Sequence, residues 1–318
     1  MKNKQDTQEN RVNSFTEKGQ TPRIAFLVVY VFDDNTRPLF DIHLQRLRQH
    51  TSLDFRIFAA AGKLSHEHRE YVSANPEIEI IDCQVPAEYS VRAEHSHCLM
   101  KLAESAMSRN FTHCMCLHLD SFPIADRWIE ILLGKLDDDA KLAVILPNGY
   151  SAGLLFSREY YDRYRPTMLV SEEERETDTF TNFTRTFPSI DHVETGLGYL
   201  YRAWSEDVPW IAIETDNNRK IYGGLLFHMV GATYRTWSDV APIRQEPIYA
   251  VTWQLLKPFV RQLPTRQRHG ITNLFVDRDK MTRDGSVRSK KEEITDLISN
   301  PDLYLDRQLA NFQGTLLV

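Results

Sequence analysis

"CMCLHLDSFP", residues 114–123, reads as an apolar strand that ends on a carboxylate. Cys114, Met115, Cys116, Leu117 and Leu119 suit a sheet core, and the expected strand covers 113–119. Asp120, Ser121 and Pro123 then stop it, being turn formers and a residue that cannot donate to a ladder. On a strand, His118 and Asp120 stand two apart and share a face. The run His113, Cys114, Cys116 and His118 also raises zinc, but C-x-C lacks a second ligand pair at zinc-finger spacing. Buried structural cysteines are the expected reading of this run.

Outward from this stretch, strands and helices alternate. "RIAFLVVYVF" (23–32) is a nearly all-apolar strand, followed by a helix over "PLFDIHLQRLRQHT". "LDFRIFAAAG" and "IEIIDCQV" are two further strands, and "SVRAEHSHCLMKLAESAMSRN" is a helix. After residue 123 come the helix "DRWIEILLGKLDDD", the strand "KLAVILPN" and a strand-to-helix unit, "SAGLLFSREYYDRY". Residues 165–190, acidic and weakly periodic, read as a mobile loop or irregular segment over a site. "DHVETGLGYLYRAWSED" reads as a helix with Asp191 and Glu194 in its first turn, before the strands "WIAIETD" and "GGLLFHMVG". Beyond 241, "YAVTWQLLKPFVRQL" and "EEITDLISNPDLYLDRQL" are helical, separated by a basic, loop-like tract.

This alternation predicts an α/β fold with a mainly parallel sheet. Its expected parts are a disordered leader (1–22), an α/β domain (23–240) and a helical C-terminal extension (241–318). Ligands of such sheets bind at the carboxyl ends of strands. Asp33, Asp34, the Gly62 turn and Asp120 all fall at such ends. Neither G-x-G-x-x-G after the first strand nor G-x-x-x-x-G-K-[ST] is present, so a dinucleotide fingerprint and a P-loop are unsupported. The missing glycine-rich loop also argues against a methyltransferase.

A net charge of −6 over 318 residues argues against a nucleic-acid partner. No apolar run approaches the roughly 20 residues that span a bilayer. The polar start is not a signal peptide, so reduced thiols and a cytoplasmic setting are expected. Peripheral contact with an anionic membrane through the basic tract 261–291 is a further expectation, set against a solvated linker.

"VRAEHSHCLMKLAESA", "CLHLDSFP", "IADRWIEIL", "NGYSAGLLFSREYY", "DHVETG" and "LLFHMVG", in this order, resemble a GT-A-type nucleotide-sugar glycosyltransferase, distantly like family 2. The likeness spans about residues 23–235 and implies a GT-A, Rossmann-like sheet. It implies sugar transfer from a nucleotide-diphosphate donor, a UDP-sugar in first place, to a hydroxyl of a glycan, lipid-linked or small-molecule acceptor. It also implies a Mn²⁺ or Mg²⁺ cofactor. The D-x-D motif appears as His118-Leu119-Asp120, with Asp120 as metal ligand and His118 in a ribose- or water-contacting place. His228 takes the position of the late metal-ligating histidine; a buried core histidine is the competing reading.

The same resemblance makes Glu194, with Asp191 as runner-up, the carboxylate that takes the acceptor proton in an inverting reaction. Alternatively Asp191 is a helix N-cap and Glu194 its capping-box partner. Asp33, Asp34 and Arg92 are candidates for base, ribose and phosphate, and His97 (or His95) for facing the donor. "AAAG" (59–62) stands where the family places a uracil-reading Asp, which leaves the base open. Trp128 and Trp204 read as core residues before sugar-subsite residues. The competing class is a non-catalytic module of the same fold that binds a saccharide or a partner. Oligomeric state is not legible.

Overall fold

The structure is a computed structural model that describes residues 21–136, 140–146, 151–188, 194–216, 220–229, 244, 246–260, 271–272, 274–275, 286–312 and 317. The leader expected over 1–22, Asp191 and most of the basic tract therefore lie outside the described residues.

Six strands of the main sheet run one way and one runs against them. These are β1 (Ile24–Val29), β2 (Phe55–Ala60), β3 (Ile78–Ile80), β4 (His113–Leu117), β6 (Leu142–Ile145), β7 (Leu155–Ser157) and β8 (Ile211–Ile213). Their order is β3-β2-β1-β4-β7-β6-β8, with β7 antiparallel to both β4 and β6. A second sheet holds β5 (Ser121–Pro123), β10 (Leu226–His228) and β9 (Ile221–Tyr222), in that order. This is a mixed, mostly parallel sheet between helical layers, the GT-A/Rossmann-like architecture that the resemblance implied.

Both faces of the sheet are covered, which is why its strands are apolar without alternation. In β4 the side chains part by parity. Met115 and Leu117 enter a core with Phe26, Trp128 and Ile145, beneath α1 (Arg37–His50) and α4 (Trp128–Lys135). Cys114 and Cys116 enter the other core with Leu99 and Tyr199, beneath α3 (Val91–Met107) and α8 (Leu197–Ser205). Trp128 is a core residue: it has no exposure, stacks on Phe26 at 5.7 Å, and donates Nε1–H to Thr51 Oγ1 at 3.0 Å.

Three expected elements differ. Strand β4 stops at Leu117, because a tight turn closes over His118–Ser121 through Ser121 N–H to the His118 carbonyl, 3.0 Å. Residues 165–190 are not irregular: α6 (Glu172–Arg175) and α7 (Asp178–Thr186) occupy much of the segment. Each carries its own cap, a Ser171–Glu174 capping box and Thr177 Oγ1 accepting from Phe180 N–H. Phe180 and Phe183, three apart, both pack on Tyr201 at 5.4 Å. Helix α8 begins at Leu197 rather than near Asp191, because Gly196 stands in the left-handed region (φ 102°) and interrupts the helical backbone. Glu194 thus precedes the helix and is no first-turn residue.

The remaining helices are α2 (His66–Ser73), α5 (Arg158–Tyr164), α9 (Pro247–Val260), α10 (Ser286–Ser299) and α11 (Pro301–Ala310). The last two pack on the α/β layer. Leu297 and Leu305 have no exposure, and the Tyr304 ring meets Phe227 at 5.8 Å. The buried Arg46 on α1 donates to the Pro123 carbonyl at 3.0 Å and to Asp302 at 2.8 Å, tying α1, β5 and α11 together. No helix among the described residues is long and apolar enough to cross a membrane.

His43 braces the turn after β4 from beneath. It is fully buried, and its Nδ1 lies 2.8 Å from the Ser121 carbonyl, so the ring is the neutral Nδ1–H tautomer. Burial holds its pKa down at about 4, from 6.5, against the raising effects of that hydrogen bond and Asp120. Below pH 6.5 the unfolded chain takes up a proton that the folded ring refuses until about pH 4. His43 should therefore remove stability as pH falls through that window, on the order of 3 kcal/mol in full. Urea midpoints measured across the window should fall more steeply for wild type than for His43→Leu; parallel curves would contradict this.

Candidate active site

The turn that ends β4 and the hairpin β9–β10 meet edge to edge. His228 pairs with Ser121 across β10 and β5, and Met229 N–H donates to the Asp120 carbonyl at 2.9 Å. The hairpin itself is specified by "YGGL": Gly223 and Gly224 both take positive φ (59° and 72°), and Leu225 N–H closes on the Tyr222 carbonyl. Positive φ at both central positions of the Tyr222–Leu225 turn is supplied by glycine without strain.

These two supports bring His118, Asp120 and His228 together, with one ligand atom from each lying within 4.8 Å of the others. Asp120 Oδ1 is 3.3 Å from His228 Nε2, and His118 Nδ1 is 3.3 Å from the same nitrogen. Asp120 and His228 are only 2% and 4% exposed. The outward nitrogens are engaged: His228 Nδ1 lies 2.6 Å from Tyr222 Oη, and His118 Nε2 lies 3.0 Å from Ser151 Oγ. Burial, with the neighbouring His228 and His95 rings, holds the His118 pKa well below the usual imidazole range, against the pull of Asp120. A neutral His118 keeps a lone pair for a cation.

This donor set fits a divalent metal: one carboxylate and two imidazoles, buried, converging, and each imidazole oriented from behind. It is the only such group of His, Cys, Asp and Glu among the described residues. His118, given a ribose- or water-contacting place in the sequence, stands with Asp120 and His228 in this cluster. The zinc reading of His113, Cys114, Cys116 and His118 is not supported: both thiols are fully buried in the sheet core, and these four do not form a converging ligand group among the described residues.

A cavity of about 240 Å³ opens at the carboxyl ends of β1, β2 and β3, the strands on one side of β4, and no cluster residue is in its lining. Tyr30, Lys63, Asp82, Gln84 and Glu94 are among its lining residues. Along α3, Glu94 faces this cavity while the next residue, His95, meets the His118 ring at 5.3 Å. The other sequence candidates divide. Arg92 and Glu194 form an ion pair at 3.8 Å, joining the start of α3 to the residues before α8. The next residue, Thr195, accepts from Ser151 N–H, so Glu194 is two contacts from His118.

Asp33 and Asp34 do not line the cavity. Asp33 Oδ1 accepts from Thr36 N–H and Oγ1 and shapes the entry to α1, and Asp34 pairs with His68 at 3.0 Å on the surface. His97 lies 2.7 Å from the Cys83 carbonyl, while His95 meets the His118 ring. Tyr222 and Ser151 were not singled out in the sequence. The double glycine before "LLFH" signals the hairpin that puts Tyr222 diagonally across from His228.

No family model and no curated protein matches the chain. Solved structures similar to it include a Pyrobaculum calidifontis mannosyltransferase in complex with GDP-Man and Mn²⁺, at 9% identity, 49% of this chain, 55% of that one and a TM-score of 0.35. A Mycobacterium tuberculosis glucosyl-3-phosphoglycerate synthase with Mn²⁺ and UDP-glucose matches at 12% identity, over 49% and 63%, with a TM-score of 0.34. TarS of S. aureus matches at 8% identity, over 77% and 41%, with a TM-score of 0.39. The chain thus spans about half the length of the mannosyltransferase. At these scores nothing about ligand or reaction carries over, and the strand order is what identifies the fold.

Calorimetric titration of the purified chain with Mn²⁺ should show one site. Asp120→Ala and His228→Ala should abolish it, and Tyr222→Phe, which loses only the hydroxyl behind His228, should weaken it by about 10–100-fold. Mn²⁺ affinity unchanged in Asp120→Ala would overturn the ligand assignment.

Proposed function

We propose that this protein is a metal-assisted glycosyltransferase that moves a sugar from a nucleotide-diphosphate donor to a hydroxyl acceptor. The observation that carries the reading is the convergence of His118, Asp120 and His228 at the carboxyl end of β4. His118, Asp120 and His228 would hold Mn²⁺ or Mg²⁺, with Mn²⁺ favoured by the two imidazoles. When bound, the ion would supply Lewis-acid stabilisation of the charge that grows on a diphosphate leaving group.

The chain's own groups supply the rest. On this reading the cavity would take the nucleoside, with Asp82 and Gln84 as hydrogen-bonding groups and Lys63 as a cation on its wall. Glu194, 27% exposed and so open to an acceptor, pairs with Arg92 at 3.8 Å and is the group proposed to accept the acceptor's proton. Direct attack with Glu194 as base corresponds to inversion at the anomeric carbon. Four free thiols are compatible with a reducing, cytoplasmic setting.

A panel of UDP-, GDP- and CDP-sugars with Mn²⁺ tests the reading through release of nucleoside diphosphate. One donor should turn over. Asp120→Asn should lower kcat by about 100-fold or more, the loss of a charge-stabilising interaction of a few kcal/mol. Glu194→Gln should depress transfer while leaving Mn²⁺ affinity intact. If no donor turns over and no nucleotide raises the melting temperature, the non-catalytic module is the correct reading.

A further inference from the structure

Helix α9 is apolar on both sides, and only one side is used. Trp253 and Val260 are 6% and 3% exposed, and the Trp253 ring packs on Phe275 at 5.4 Å. On the opposite side Ile248, Val251, Leu255 and Phe259 are 73%, 59%, 69% and 68% exposed. Their spacing of three, four and four residues sets them in one line along the helix. The other exposed residues of α9 are Pro247, Gln254, Leu256 and Pro258, so this face carries no charge and a single polar side chain. A soluble surface does not ordinarily leave so many large apolar side chains contiguous and bare.

Charge indicates what covers them. From residue 247 to 276 the sequence contains Lys257, Arg261, Arg266 and Arg268 and no Asp or Glu, a local charge of +4 in a chain of −6. Arg244, just before α9, stacks over Tyr249 at 4.7 Å. An uncharged apolar line continued by a basic, acid-free stretch of sequence is the composition of a helix that lies in the plane of a bilayer interface. A second copy fits less well, because a two-fold contact through this helix would bring together two copies of the same acid-free, +4 stretch of sequence.

We propose that the exposed face of α9 docks this protein on an anionic lipid surface, with Ile248, Val251, Leu255 and Phe259 entering the headgroup–acyl boundary. The docking is independent of the catalytic reading. Where both hold, the acceptor is met at the membrane surface, which favours a lipid-linked or membrane-borne hydroxyl.

Co-sedimentation of the full chain with vesicles of phosphatidylcholine alone, and of phosphatidylcholine mixed with phosphatidylglycerol, tests this. The chain should partition onto the mixed vesicles at low salt and leave them at high salt. Leu255→Glu should lower that partitioning by about tenfold or more, and Lys257→Glu by a smaller factor, with thermal melts unchanged. If Leu255→Glu does not fold, Ile248→Ser provides the same readout with a milder change. Absence from anionic vesicles, or partitioning unaffected by the face substitution, overturns the proposal. So does a wild-type dimer in sedimentation equilibrium that Leu255→Glu dissolves, since the face then belongs to a second copy. Nucleotide-sugar turnover in detergent-free solution is unaffected by either result, so the two proposals fail separately.

Discussion

Asp120 is a carboxylate withdrawn from water, and much of the architecture around it is organised to make that tolerable. An ionised carboxylate without compensation is among the most costly groups a fold can bury. Here the compensation comes from a segment more than a hundred residues away. β10 pairs with β5 so that His228 stands beside Asp120, and Met229 fixes the same residue through its backbone carbonyl. The small sheet exists to make that junction. It is short, it lies apart from the main sheet, and it reaches the end of β4 only because the chain reverses there.

That reversal in turn rests on the two cores. α1 and α4 pack Leu39, Leu47 and Trp128 against one face of the sheet, and α3 and α8 pack Leu99 and Tyr199 against the other. β4 is clamped between β1 and β7, so its last residue has a fixed position and direction. His43 and Arg46, one turn apart on α1, then hold the carbonyls of Ser121 and Pro123. A polar turn at the edge of an apolar sheet is thereby held by two buried side chains from one helix, an arrangement more rigid than a solvent-exposed loop.

Most of the fold was legible because it is written in local pattern. Apolar runs bounded by Asp, Asn and Gly gave the strands, and helical periodicity gave α1, α3, α4 and α5. The descent of Cys114 and Cys116 into the core followed from their place on a nearly all-apolar strand. The site was legible in its residues but not in its assembly. Strand parity places His118 and Asp120 on one face, yet they converge through a turn, a geometry set by hydrogen bonds between Ser121 and His118. The support given by Tyr222 and Ser151 is non-local and has no motif. The helices over 172–186 escaped notice because each is short and carries its own cap, so no single period runs through the acidic segment.

If the cluster holds a divalent ion as proposed, having His118 rather than a second carboxylate has a consequence that charge counting makes definite. A divalent ion held by two carboxylates and an imidazole is neutral as a centre. With one carboxylate and two neutral imidazoles, the same ion keeps a net charge of +1. On the reading proposed above, that residual charge would attract a diphosphate more strongly in a site from which water is largely excluded. The same exchange shifts the donor set from oxygen toward nitrogen, which disfavours Mg²⁺ relative to Mn²⁺ and later transition metals. The histidine therefore alters the character of the site without dismantling it.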